Sequence, residues 1–236
     1  TGSSKTLGIV VPDLSNPFFS GVYSALETAA ARNGYSTLFM ASHQNPEKEM
    51  DRISQLIARE VDAIIIFAGT NDYNGSVPIG QWYKYEEAEA PIANGKTQIR
   101  KRRIHIMDSS TFKGRINAAM AYIKENFPDK QIILITPIHR GFAKFGEGNV
   151  QPDESFPNRI GEYIDSYVDA VKEAGNVWAV PVIDLNSISG LYPVADSHVR
   201  YFSDGQTDRL HPNAAGHERM AKALAYQLLA FPACFD

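Results

Sequence analysis

The run Ala63-Ile64-Ile65-Ile66-Phe67, closed by Ala68 and the turn residues Gly69-Thr70-Asn71-Asp72, constrains the fold more than any other stretch of this chain. Such an apolar run, too short for a helix and bounded by turn chemistry, describes a strand covered on both faces, as in a parallel sheet. Open parallel sheets place ligands just beyond the carboxyl ends of their strands. The Gly69 to Asp72 turn therefore falls where chemistry is expected.

The flanking segments alternate strand and helix. Leu7 to Val11 is an apolar strand stopped by Pro12-Asp13, and Asn16-Pro17 starts a helix with Asn as cap and Pro in the first turn. Phe18, Val22, Leu26 and Ala29 or Ala30 recur at helical spacing until Gly34. Ser36 to Ala41 is a second strand, and Asn45-Pro46-Glu47 opens a second helix whose stripe is Met50, Ile53, Leu56 and Ile57. After Asp72 the rhythm breaks. Tyr73 to Met107 holds turn residues, the aromatics Trp82, Tyr83 and Tyr85, and an alternating stretch from Gln98 to Ile106 that predicts a small hairpin at the rim.

Ser109-Ser110-Thr111 then caps a helix carrying Ile116, Met120 and Ile123, and Gln131 to Thr136 is a fourth strand. A Gly- and Pro-rich loop spans Pro137 to Pro157. A helix with Ile160, Ile164, Tyr167, Val168 and Val171 ends at Gly175, followed by a fifth strand from Val177 to Asp184. A second long loop leads to Asp208-Arg209-Leu210-His211-Pro212 and a closing helix from Ala215 to Leu229. The expected fold is α/β: a three-layer, flavodoxin-like sandwich on a five-stranded parallel sheet, in a single domain. A length of 236 residues with 44% apolar content fits one such domain.

Charge narrows the partners. A net charge of −4 argues against nucleic acid, which requires a concentrated basic face, and Arg100-Lys101-Arg102-Arg103 reads as a solvated hairpin edge. The lone Cys234 makes no intrachain disulfide, no apolar run is long enough for a membrane span, and no signal peptide precedes the first strand. The opening Thr1-Gly2-Ser3-Ser4 has the look of a cloning remnant. A soluble monomer of unassigned compartment is expected. Neither a metal nor a nucleotide cofactor is, because His105, His198 and His217 lack ligand spacing and no strand is followed by a phosphate-binding glycine motif.

The chemistry begins at the end of the chain. Asp208 and His211 stand three residues apart, a spacing that lets a carboxylate turn back onto one imidazole nitrogen and set the tautomer, leaving the other nitrogen as a base. A capping Asp beside a surface His is the competing reading. Asn71, at the carboxyl end of the third strand, offers an amide suited to an oxyanion.

Gly69-Thr70-Asn71-Asp72 together with Asp208-x-x-His211-Pro212-Asn213 and Gly216 resembles the third and fifth sequence blocks of SGNH (GDSL-type) esterases and lipases, a likeness running from Phe67 to the C-terminus. It implies that His211 is the general base, Asp208 its orienting acid and Asn71 an oxyanion donor. Apart from the resemblance, Gly69 in the turn after the third strand and His139 after the fourth lie on the edge where a substrate is expected, with loop packing the competing role for His139. The implied reaction is hydrolysis of an ester, such as an acyl group on a carbohydrate, through an acyl-enzyme without metal. That family also needs a Gly-Asp-Ser nucleophile motif after the first strand and a glycine after the second. Here stand Pro12-Asp13-Leu14-Ser15 and Ala41-Ser42-His43-Gln44, so the serine position holds Leu14, Ser15 comes one residue late, and the glycine is missing. Ser15 is the candidate nucleophile, although hydrogen bonding at the helix start is the preferred reading of it.

The front half resembles a different family. Gly8-Ile9-Val10-Val11-Pro12-Asp13-Leu14-Ser15-Asn16-Pro17-Phe18-Phe19, then Asn45-Pro46-Glu47 and Val61-Asp62-Ala63-Ile64-Ile65-Ile66, is similar to the first lobe of LacI/GalR and periplasmic sugar-binding proteins. That likeness implies sugar contacts from Ser15, Asn16, Phe18 and Phe19, but the second lobe and the DNA-binding headpiece are absent, and core packing is the simpler role for the two rings. The expectation is a chimera. Residues 6–66 resemble a sugar-binding lobe and residues 67–236 a hydrolase, and a junction inside a buried strand is expected to make the chain an engineered scaffold with weak or lost esterase activity. An active esterase using Ser15, or a weak sugar-binding module, are the alternatives.

Overall fold

The computed structural model describes residues 4–11, 17–41 and 46–230. Leu14, Ser15, Asn16 and Ser42-His43-Gln44 lie outside the described residues, as does the side chain of Phe18. In chain order the front elements are β1 (Thr6–Val11), α1 (Pro17–Arg32), β2 (Ser36–Ala41), α2 (Pro46–Ile57) and β3 (Ala63–Phe67). A one-turn helix α3 (Thr70–Asn74) follows, then β4 (Tyr83–Pro91), β5 (Thr97–His105), α4 (Phe112–Asn126), β6 (Gln131–Ile135), β7 (Ala143–Lys144) and β8 (Val150–Gln151). The chain continues through α5 (Ile164–Trp178), β9 (Val182–Ile183), α6 (Leu185–Ile188), β10 (Phe202–Asp204), β11 (Asp208–Pro212) and α7 (Ala214–Leu228).

The strand that dominates the sequence is the middle of the sheet. β3 pairs in parallel with β1, Leu7 against Ala63 through Val10 against Ile66, and on its other side with β6, Ala63 against Gln131 through Phe67 against Ile135. The five-stranded order is β2-β1-β3-β6-β9, with every pairing parallel. Front and back of the chain thus share one hydrogen-bonded sheet.

Alternation along the strands fills two cores. Val10, Ile64, Ile66, Ile132 and Leu134 face α2, α4 and α5 through Ile53, Leu56, Met120, Ile123 and Val171. Ile9, Val11, Ile65, Phe67, Ile133 and Ile135 face α1 and α7 through Leu26, Met220 and Leu224. These three layers are the sandwich that the hydrophobic pattern predicts, since a run apolar at every position needs cover on both sides. Each buried Ile contributes roughly 1.5–3 kcal/mol by leaving water.

Five expectations need correction. The fifth strand is only Val182–Ile183, because α5 continues through Gly175 to Trp178 and stops at Ala179 in a left-handed conformation (φ 52°). Gly175 is inside the helix, where a Cβ would come within 2.6 Å of Val182 Cγ2, so it permits close helix–strand approach instead of ending the helix. Ile160 precedes α5 and is exposed.

The rim hairpin is longer than the alternating stretch suggests. Nine residue pairs join β4 and β5, from Tyr83 against His105 to Pro91 against Thr97, and Arg102 pairs with Glu86. It is anchored at its base by buried Asn117, whose Nδ2 donates to the carbonyls of Trp82 and Ile106 at 2.9 Å while its Oδ1 accepts from Trp178 Nε1. Finally, the two long loops are structured: β10, β11, β7 and β8 form a second, antiparallel sheet, and Asp208 and His211 lie in its strand β11 instead of a loop.

Candidate active site

Asp208 and His211 meet because β11 folds the carboxylate back over its own strand. Asp208 Oδ1 accepts from the backbone N–H of Leu210 (3.1 Å) and of His211 (3.0 Å), and Oδ2 lies 2.9 Å from His211 Nδ1. Two backbone donors fix the carboxylate before it reaches the ring. A carboxylate at Nδ1 favours the tautomer with the proton on that nitrogen, which makes Nε2 the basic atom. Both side chains are about 14% exposed. The capping alternative is therefore half right: the Asp does bind its own turn, and it holds the imidazole as well.

The residues after His211 account for the rest of its sequence block. Asn213 caps α7 by accepting from Ala215 and Gly216 N–H, and its Nδ2 donates to the carbonyls of Arg200 and Phe202 at 2.9 Å. Gly216 has no room for a side chain, since a Cβ would stand 2.3 Å from Tyr201 O. Ser203 Oγ donates to His211 O, tying β10 to β11.

Asn71 lies in the first turn of α3, directly after β3, and is half-buried. Gly69 holds φ 113°, and a Cβ there would meet Pro137 Cγ at 2.8 Å, so this position combines a left-handed backbone with close approach to the loop after β6. Next to Asn71, Asp72 pairs with Arg115 at 2.8 Å; burial raises its pKa, and the guanidinium opposes that shift.

The segment after β6 joins the Asn71 turn to the His211 strand. Arg140 stacks over the Tyr73 ring at 4.7 Å, the Tyr73 hydroxyl donates to Phe156 O, and Asn158 Nδ2 donates to Tyr73 O. Further along, Arg209 N–H donates to Phe142 O, and Ala143 pairs with Asp208. Arg140 is almost fully buried, which pulls its pKa down to about 10. Burial pushes Tyr167, whose hydroxyl donates to Val77 O, up to about 12.

His139 sits against Glu154, 3.0 Å from both carboxylate oxygens, with Tyr192 edge-on at 5.2 Å. Glu154 also accepts from Arg140 N–H at 2.8 Å. Its hydrogen bond to His139 is the main reason the imidazole pKa is raised, with burial opposing. The geometry thus gives His139 the loop-packing contact that competes with a role at the substrate. Ser15 and Asn16, like the Phe18 side chain, are outside the described residues, so the structure brings together His211 and Asp208, and leaves the nucleophile position undescribed.

One neighbour escaped sequence reasoning. The Phe145 ring, half-exposed at the end of β7, is 5.5 Å from the His211 ring. No local pattern marks it, because the contact arises only when β7 pairs with β11. Among the described residues, no cluster of His, Cys, Asp or Glu has the arrangement of a metal site, and no helix is long and apolar enough to cross a membrane.

Residues 14–219 match the profile of the GDSL-like Lipase/Acylhydrolase family, further forward than the two blocks that begin near Phe67. The fold is similar to that of a protein from Lactobacillus plantarum (TM-score 0.66, 21% identity, 96% of each chain covered). A possible lipase from Chitinophaga pinensis is also similar (0.62, 16%, 96% of this chain and 99% of that one), as is a GDSL-like lipase from Bacteroides thetaiotaomicron (0.57, 16%, 96% and 88%). Among curated relatives, the catabolite repressor/activator of Escherichia coli is 38% identical over 65 residues, 28% of this chain and 20% of that protein. The sucrose operon repressor of Streptococcus mutans is 31% identical over 117 residues, 50% of this chain and 33% of that protein. The chain spans a fifth to a third of the length of these two regulators.

Proposed function

The chain belongs to the GDSL-like lipase/acylhydrolase family, and from that premise we propose that its chemistry is ester hydrolysis by the His211–Asp208 pair, slowed because the block supplying the attacking hydroxyl carries regulator-type sequence. The observation that carries this reading is the double grip of Asp208, which orients the imidazole as a general base needs. His211 Nε2 takes the proton of an attacking hydroxyl, Ser15 in the first instance. The Asn71 amide donates to the developing oxyanion. The imidazolium then returns the proton to the leaving alkoxide, and water repeats the cycle on the acyl-enzyme. Leu14 at the nucleophile position and Ser42 at the position of the missing glycine are what hold the rate down.

The two likenesses are reconciled by a junction inside β3. Both parent folds wind a parallel sheet the same way, so a swap within a buried strand leaves each crossover unit whole and a family profile still aligns across it. The short, closer match to a catabolite repressor/activator supports this origin.

The test is hydrolysis of an activated short-chain ester by the chain and by His211→Ala, with fluorophosphonate labelling of Ser15. Slow turnover that His211→Ala abolishes, with sluggish labelling, is expected. Equal rates for both proteins defeat the hydrolase reading, and rapid stoichiometric labelling of Ser15 defeats the claim of a crippled nucleophile. The regulator likeness favours a second reading, weak sugar binding at the Asn16 turn. Titration of simple sugars against tryptophan fluorescence tests it, and a flat response at millimolar sugar removes it.

A further inference from the structure

Two guanidiniums converge on one ring beside the start of α7. Arg200 Nη2 donates to the Tyr201 hydroxyl at 2.8 Å, with its Cζ 4.9 Å from the ring centroid, and the Cζ of Arg219, in the second turn of α7, lies 5.1 Å from the same centroid. Backbone contacts set this meeting. The Tyr201 carbonyl accepts from Asn213 N–H, and Gly216 leaves it room, since a Cβ there would stand 2.3 Å from that oxygen. His198 joins the group: its ring meets Tyr201 edge-on at 5.8 Å, and its Nδ1 accepts from Tyr192 N–H, which puts the ring proton on Nε2 as a further donor.

The neighbouring charges are matched and these two are not. Arg209 pairs with Asp196 at 2.7 Å, and Glu218, next to Arg219, is taken by Lys222 at 2.8 Å. Among the described residues neither Arg200 nor Arg219 has a carboxylate partner. Their effect shows at the ring: the hydrogen bond from Arg200, and then the charges of both guanidiniums, lower the pKa of the Tyr201 hydroxyl. Arg219 is also held in place. Its Nε donates to Ser189 O at 3.0 Å, and its guanidinium lies against Gly190 (φ 63°), where a Cβ would stand 2.4 Å from Nη2. Both arginines are exposed, so a solute can reach them.

We propose that Arg200 and Arg219, with Tyr201 as their shared support, form a binding site for the phosphate group of a small soluble molecule, whose oxygens accept hydrogen bonds from both guanidiniums. The planar fork of arginine suits the oxygens of a phosphate, and two forks suit its double charge. A monocarboxylate neutralises only one of them. Because both guanidiniums approach the same hydroxyl oxygen, one phosphate can span them. The site is distinct from the ester chemistry at His211 and does not depend on it.

Glycerol phosphate, inorganic phosphate and acetate titrated into the intact chain at about pH 8 and constant ionic strength, followed by the amide chemical shifts of Tyr201 and Arg219, test the proposal; both phosphates are dianions there. Saturable millimolar binding of both phosphates is expected, with acetate at least about fivefold weaker. Arg200→Gln and Arg219→Gln should each weaken glycerol phosphate about fivefold or more. Arg100→Gln, which removes an exposed arginine of the β4–β5 hairpin, should leave it unchanged. The proposal is overturned if glycerol phosphate does not saturate, if acetate binds as tightly, or if Arg100→Gln weakens binding as much as the two site variants. Arg200→Gln decides the matter even where Arg219→Gln does not fold, because the Arg200 side chain is tied only to Tyr201.

Discussion

Asp208 holds His211 at two points, the backbone N–H through Oδ1 at 3.0 Å and the ring Nδ1 through Oδ2 at 2.9 Å. A single carboxylate therefore shapes β11 and orients the base, and the two jobs are separable by substitution. Asp208→Asn retains an oxygen for the backbone amides but presents an amide, not a charge, to the imidazolium. It should leave the unfolding midpoint near that of the parent while ester turnover falls about 10²-fold or more. Asp208→Ala should lose the same activity and also about 1–3 kcal/mol of stability, because two part-buried N–H groups lose their acceptor. Denaturant melts and initial rates on one activated ester check both.

On the proposed reading, in which Asp13 matches the aspartate of the family's nucleophile motif, Leu14 takes the place of its serine and Ser42 that of its oxyanion-hole glycine. Combining Leu14→Ser with Ser42→Gly should raise the esterase rate above that of either single change, since a nucleophile without its oxyanion donor captures only part of the effect. Rates for the two single variants and the double variant give the answer; no gain in the double means that the loops are misplaced.

His139 should impose a pH dependence on stability. Its hydrogen bond to Glu154 raises the folded pKa above the ordinary 6.5, so its contribution is complete below that value and is lost as the pH rises through the folded pKa. His105, stacked on Trp178 at 4.2 Å, works in the other direction. Burial and then Arg103 lower its pKa, so its contribution is complete above 6.5 and is lost as the pH falls through the folded value. His139→Gln should remove the alkaline decline and leave the acidic one. Denaturation of both proteins across pH 5 to 9 measures the difference.

Ile65 lies at the centre of the strand that joins front and back, 1% exposed, on the face packed by α1 and α7. Ile65→Ala should cost about 2–5 kcal/mol. Because β3 is bonded to β1 on one side and to β6 on the other, fluorescence and far-ultraviolet circular dichroism should still report one transition. Two separated transitions would mean that the halves fold independently.

Periodicity carried the architecture well because it reports burial, and burial is decided by which faces are covered. Ile64 and Ile66 had to face one layer and Ile65 and Phe67 the other, whatever the rest of the chain did. Capping chemistry placed the starts of α1, α2 and α4 within about a residue for the same local reason. Gly175 misled, since a glycine that ends a helix and one that admits a neighbouring strand look alike in sequence.

The amino-acid order alone determined the parallel sheet, the two family likenesses and the pairing of Asp208 with His211, all of which rest on contacts a few residues long or on strict alternation. Only the tertiary structure decided that β11 is a strand, that Glu154 occupies His139, that Phe145 stands over the base and that Arg219 joins Arg200 at the Tyr201 ring. Those relationships join residues brought near one another by packing, and the side-chain volumes that set such packing leave no periodic trace along the chain.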